Sequence, residues 1–204
     1  MPTRRDGSET RDRLIRAGEQ LFATESINAP LSSVLSAAQQ RNKAALQYYF
    51  GSREGLLAAI LERHVAAIEA ERSEMLRDAL GDDQPSLDAL VAALFVPAAN
   101  RLHTTEGRNY LLILPQLVPR IDPTWGAGTM PPSLRGVIDA IEACLVAPRP
   151  EAHERTTLVQ VMQAGILAER ARQVNSGESK LSHKRFVAIG LDMLTSALAT
   201  TRGH

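Results

Sequence analysis

Apolar residues in this chain recur at steps of three and four, segment after segment, and never in the strict alternation of a half-buried strand. That period lines one side of an α-helix with side chains that need a core, so it constrains the fold more than any other feature. Alanine and leucine dominate the apolar set, which favours helix over strand. The pattern predicts an all-α chain of about nine helices, with proline, glycine and capping serines as punctuation.

The predicted helices follow from those marks. Ser8 caps the first, whose apolar face is Leu14, Ile15, Gly18, Leu21 and Phe22. A second, 31–38, starts after Pro30 and turns Leu31, Val34, Leu35 and Ala38 inward. The polar run Gln39-Gln40-Arg41-Asn42 precedes a third short helix ending in Tyr48-Tyr49-Phe50. Ser52 caps a long fourth helix, 53–80, closed by Gly81. The fifth runs from Ser86 to about 102 and contains Pro97, and the sixth covers 106–118. Residues 119–132, rich in Pro and Gly, read as a long loop with Trp125 and Met130. Helices at 133–145, 151–174 and 182–200 complete the chain.

Two short helices split by about four polar residues fit a helix-turn-helix, in which the second helix enters the major groove. The stretch after the first of them supplies Gln40, Arg41, Asn42, Lys43, Gln47, Tyr48 and Tyr49 within ten residues. Arg and Lys pair with guanine or phosphate, Asn and Gln with adenine, and tyrosine hydroxyls with phosphate. A solvated helical hairpin carries similar residues, so the spacing alone leaves both readings open. Phe50 is expected in the core, with one of Tyr48 and Tyr49 packed and the other outward.

Charge adds a local hint. Lys plus Arg equals Asp plus Glu at 23 each over 204 residues, which by itself points to no nucleic-acid or membrane partner. Residues 1–53 nevertheless carry a surplus of three basic side chains. A lone cysteine, Cys144, excludes an intramolecular disulfide. With no apolar leader and no long apolar run, the expectation is a cytoplasmic protein with no membrane partner.

Order makes the motif specific. Thr10-Arg11-Asp12-Arg13-Leu14-Ile15-Arg16-Ala17-Gly18-Glu19-Gln20-Leu21-Phe22-Ala23 is followed by Val34-Leu35-Ser36-Ala37-Ala38. Leu46-Gln47-Tyr48-Tyr49-Phe50-Gly51-Ser52-Arg53-Glu54-Gly55-Leu56-Leu57 comes next. This succession, over residues 8–65, resembles the DNA-binding domain of the TetR family of repressors. The resemblance implies a buried aromatic at Phe22, a recognition helix ending in Tyr49-Phe50, and basic contacts near DNA from Arg11 and Arg53. Three departures stand out: Gln39 replaces the usual turn glycine, Gln47 replaces a tyrosine, and one extra residue separates Ala38 from Leu46.

The same resemblance implies a DNA-binding domain at 8–65 and an effector-binding and dimerisation domain at 66–204. Physics also favours a homodimer on palindromic double-stranded operator DNA, because one recognition helix reads too few base pairs. Helices 8 and 9, apolar over more than one face, are the expected dimer elements. Candidate effector-pocket residues are Phe95, His103, Tyr110, Gln116, Trp125, Met130 and Met162, with Asn100, Ile113 and Gln163 nearby in the same reading. They suit an apolar or amphipathic small molecule.

No G-x-S-x-G, Walker or dinucleotide glycine motif occurs, and no histidine has an i, i+4 or cysteine companion. The expectation is a non-enzyme without metal or cofactor. Glu69, Glu71 and Glu74 are expected to form a solvated charged face. The leading function is a ligand-responsive repressor. The alternative is a helical small-molecule-binding dimer with little or no DNA-binding activity.

Overall fold

The computed structural model describes residues 4–42, 44–81, 85–117 and 130–199, and the side chains of these from residue 7 onward. Lys43, Trp125 and most of the 119–132 loop therefore lie outside the described residues. The described residues form nine α-helices and one 3₁₀ turn, without a strand. They are α1 (Arg4–Thr24), α2 (Leu31–Ala37), α3 (Ala44–Phe50), α4 (Arg53–Leu80), α5 (Leu87–Ala99), a 3₁₀ turn (Asn100–His103), α6 (Thr105–Leu117), α7 (Pro132–Cys144), α8 (Arg149–Ser176) and α9 (His183–Ala199).

The expected helix ends hold where a side chain enforces them. Ser52 accepts from the Gly55 amide at 3.1 Å and starts α4 as expected, and Ser86 accepts from Ala89 at 3.1 Å to start α5. Three ends differ. Helix α1 starts at Arg4, with Ser8 inside it, because a solvated first turn can leave its amides to water and needs no serine cap. Helix α5 stops at Ala99 and tightens into the 3₁₀ turn. Helix α8 begins at Arg149 and takes Pro150 into its first turn, where the missing N–H costs nothing.

Two cores result. The N-terminal one gathers Leu14, Ile15, Phe22, Val34, Leu46, Leu56 and Ile60 from α1 to α4. Each fully buried Leu, Ile or Phe contributes roughly 1.5–3 kcal/mol relative to exposure. Helices α1 and α4 meet at Gly18, where a Cβ would stand 3.0 Å from a Leu56 methyl. The second core is built on Leu90, Leu94, Phe95, Leu111, Ile141, Leu167 and Leu194 from α5 to α9. There Gly190 lets α9 lie on the Phe95 ring, since a Cβ would come within 2.6 Å of it.

The cores are not sealed off at residue 65. Ile113 and Leu117, at the C-terminal end of α6, belong to the N-terminal core. Next to them the Gln116 carboxamide donates to the Phe22 carbonyl and accepts from the Ile27 amide, both at 2.9 Å. Gln116, expected in the effector pocket, is therefore a tie between the body and the α1–α2 loop.

Candidate nucleic-acid interface and buried polar cluster

Helix α2 ends in a motif that satisfies its last carbonyls and turns the chain toward α3. The Gln39 amide donates to Ser36 O at 3.0 Å and the Gln40 amide reaches back to Leu35 O at 2.9 Å. Gln39 itself is left-handed, with φ of 53°, at the position where the resemblance sets glycine. The turn is then shaped by its own side chains: Gln40 Oε1 accepts from the Asn42 amide at 3.1 Å, and Asn42 Oδ1 from the Ala44 amide at 3.0 Å. Asn42 is thus the cap of α3.

Helix α3 roots Ala45 and Leu46 in the core and leaves Gln47 and Tyr48 outside, Tyr48 at 82% exposure. Arg41 and Asn42 are exposed just before it. Tyr49 is half-buried: its ring meets Tyr48 edge-on at 4.9 Å, and a Cβ at Gly7 would lie 3.5 Å from its hydroxyl. The expectation of one packed and one outward tyrosine is met. Phe50 is half-buried, with the Arg11 guanidinium 5.5 Å above its ring. Arg53 is anchored inward, donating through Nη1 to Ile27 O at 2.8 Å and Ala29 O at 2.6 Å.

The described candidate pocket residues stand in different surroundings. Phe95 is fully buried core against Phe186. Met162 is 36% exposed on α8. Met130 is half-buried before α7, and Trp125 lies outside the described residues. His103 is exposed on the 3₁₀ turn with its ring 4.2 Å from that of His183. Burial, His103 and Arg170 together hold the His183 pKa below its usual 6.5.

Tyr110 is buried against a polar neighbour. Its ring stacks on His64 at 4.7 Å, and burial pushes its pKa up to about 12. His64 Nε2 in turn meets Glu19 at 3.3 Å, so α1, α4 and α6 touch through polar groups. The expected solvated face of Glu69, Glu71 and Glu74 is corrected here. Glu69 accepts from Arg72 at 2.8 Å and from Ser133 N and Oγ at 3.0 and 2.6 Å, capping α7, while Glu71 accepts from the Asn100 side-chain Nδ2. Only Glu74 faces solvent. The reason is that α5 and α7 pack on that side of α4, a contact periodicity cannot register.

Sequence reasoning overlooked Arg72 and Arg101. Arg72 follows His64 and Ile68 at steps of four, so it lies on the buried stripe of α4, where a cation is a signal in itself. Burial, the largest influence, holds its pKa below the usual arginine value despite Glu69. Among the described residues no group of three or more His, Cys, Asp or Glu is placed to hold a metal ion, and no helix is long and apolar enough to cross a membrane.

The chain shares its all-α fold with a protein of solved structure. Its solved counterpart SmeT, in a complex with triclosan, superposes with a TM-score of 0.54 at 20% identity, covering 95% of this chain and 93% of that one. A weaker likeness, TM-score 0.48 at 18% identity, is to GusR of Salmonella enterica, over 93% of this chain and 95% of that one. In sequence, the chain is 31% identical over 101 residues to the HTH-type transcriptional repressor NicS of Pseudomonas putida. That stretch is 47% of this chain and 47% of NicS, about half the length of each. No family model matches the chain.

Proposed function

We propose that the chain is a TetR-type transcriptional repressor that binds palindromic operator DNA as a cytoplasmic homodimer and responds to a small-molecule effector. The observation that carries this reading is the outward face of α3. Gln47 and Tyr48 stand in solvent on a helix whose opposite side is locked into the core, beside exposed Arg41 and Asn42. A rigid short helix with free amide, phenol and guanidinium groups suits base-edge and phosphate contact. The identity with NicS, a repressor, supports it.

Residues 8–65 act as the reader and 66–204 as the regulatory body, with the end of α6 shared between them. The dimer forms through α8 and α9. Leu158, Val161 and Met162 on α8 and Met193 on α9 are exposed, and a groove of about 410 Å³ runs between the helices along Gly165, Ile166, Ile189 and Met193. An exposed apolar strip at helical spacing is what a partner helix covers. The arginine anchored on Ile27 and Ala29, Arg53, holds the start of α4 in place, and Tyr49 and Arg11 brace α3 rather than read DNA.

The test is a gel shift on the promoter beside the protein's own gene. The Arg41→Ala, Tyr48→Ala double variant should lose at least tenfold in affinity, about 1.4 kcal/mol. Equal affinity of variant and parent would remove α3 as the reading element. Weak, salt-independent DNA association of the parent would favour the ligand-binding dimer instead.

A further inference from the structure

The hydrogen bonds of the turn before α3 decide which side chains are left to read a base. In the major groove adenine is read by a carboxamide that accepts from its N6–H and donates to its N7 at once. Gln40 and Asn42 each commit their oxygen inside the protein. Gln40 Oε1 accepts from the Asn42 amide at 3.1 Å, and Asn42 Oδ1 accepts from the Ala44 amide at 3.0 Å. Both partners are backbone N–H donors, so the oxygen end of each carboxamide is fixed in the turn and the NH2 end remains for DNA. A donor without its acceptor matches any phosphate oxygen and discriminates poorly between bases.

Gln47 is placed differently. It is exposed, and its carboxamide makes no hydrogen bond among the described residues, so donor and acceptor are both free. Ala44, Gln47 and Tyr48 are the exposed positions of α3, at i, i+3 and i+4, and they form one stripe opposite the buried Ala45 and Leu46. Ala44 and Gln47 stand about 4.5 Å apart along the helix axis. Base pairs are stacked about 3.4 Å apart, so the two residues suit neighbouring pairs. Ala44 presents only a methyl group, which lets the start of α3 approach the groove floor and matches the C5-methyl of thymine. Arg41 stands on the turn, off this stripe, where a guanidinium suits the phosphate backbone.

We infer that Gln47 is the specificity-determining residue of α3 and takes an adenine in each half-site, with the Ala44 methyl against a thymine of the neighbouring pair. The inference rests on the repressor reading above and gives its operator a base preference. Gln40 and Asn42, carboxamides like Gln47, shape the turn that aims α3 and add contacts blind to sequence.

The test is selection of bound duplexes from a random-sequence DNA library by the full-length protein, followed by gel shifts on the selected palindrome and its single-pair variants. Gln47 is exposed, so Gln47→Ala should keep the parent's Tm. The parent should lose about fivefold or more in affinity when one A·T pair per half-site becomes G·C, or when its adenine becomes 7-deazaadenine. Gln47→Ala should be indifferent to both changes, and Gln47→Glu should prefer cytosine in place of that adenine. Uracil in place of the neighbouring thymine should weaken the parent severalfold, while Asn42→Ala should weaken binding to all duplexes alike. The inference is overturned by a G·C pair at the position where Gln47→Ala loses its preference, by discrimination retained in Gln47→Ala, or by discrimination that vanishes in Asn42→Ala instead. A uracil duplex bound as tightly as the thymine one overturns the Ala44 contact. A parent that selects no sequence sinks the repressor reading itself, whereas a selected palindrome whose preferences survive in Gln47→Ala sinks this inference alone.

Discussion

The Gln116 side chain on α6 donates to the Phe22 carbonyl at the end of α1 across 2.9 Å, and its other end accepts from the Ile27 amide. One carboxamide thereby satisfies a backbone group at the end of α1 and another in the α1–α2 loop from a helix about ninety residues away in sequence. Replacing it by an isosteric apolar side chain strands both groups. Gln116→Leu should cost about 2–4 kcal/mol. For a chain of this size that is a fall in Tm of roughly 4–15 °C, readable by circular dichroism. A Tm within a degree of the parent would mean that water replaces the carboxamide at no cost.

The left-handed Gln39 makes a prediction of opposite sign. A side chain at φ of 53° crowds its own carbonyl, and glycine relieves this at some expense in unfolded-state entropy. Gln39→Gly should stabilise by about 1 kcal/mol, or raise Tm by roughly 2–4 °C. Gln39→Val should destabilise, because a β-branched residue tolerates that conformation worst. Identical Tm values for the two variants would contradict the strain.

These two residues also mark how far the sequence could be read. Gln39 was visible as a departure from the expected glycine, since a turn's backbone demand is local. The start of α4 at Arg53 and its end at Leu80 were likewise local, written by Ser52 and Gly81. The exposure of Tyr48 against the burial of Tyr49 emerged as an either-or, which only packing against α1 resolves. The partners of Gln116, Arg53 and Glu69, which are Phe22, Ala29 and Ser133, lie between 24 and 94 residues away, out of reach of any local pattern. Periodicity says which face of a helix is buried, but not which carbonyl or helix terminus waits there.

Gly165 tests the dimer. It sits in the apolar strip of α8 with nothing within 4 Å of where its Cβ would be, so the single protomer gives no steric reason for a glycine. Helix propensity argues against it by about 1 kcal/mol relative to alanine. Close approach of a partner helix would supply the reason. Gly165→Leu should raise the dimer dissociation constant at least tenfold, about 1.4 kcal/mol, in sedimentation equilibrium, with helix content unchanged. An unaltered dimer would place the interface elsewhere.

The His103–His183 contact predicts a pH response. Burial, His103 and Arg170 all disfavour the charged form of His183, so its folded pKa lies below 6.5. The unfolded chain then takes up the proton first as pH falls, and stability declines from about neutral pH downward while staying flat above. Tm should fall between about pH 7 and 5.5, and His183→Gln should flatten that slope. A slope equally steep in the variant would assign it to other groups.

Ile113 and Leu117 carry a consequence for anyone wishing to transplant the N-terminal helices. Cut after the first turns of α4, the N-terminal helices would keep their own leucines yet miss two plugs from α6, leaving an open hole beside Phe22 and Ile60. A chimaera that borrows these helices for another protein must bring the last two turns of α6 along or refill the gap with larger side chains. The N-terminal helices and the end of α6 are halves of one piece of masonry, and grafting one without the other leaves an unsteady protein.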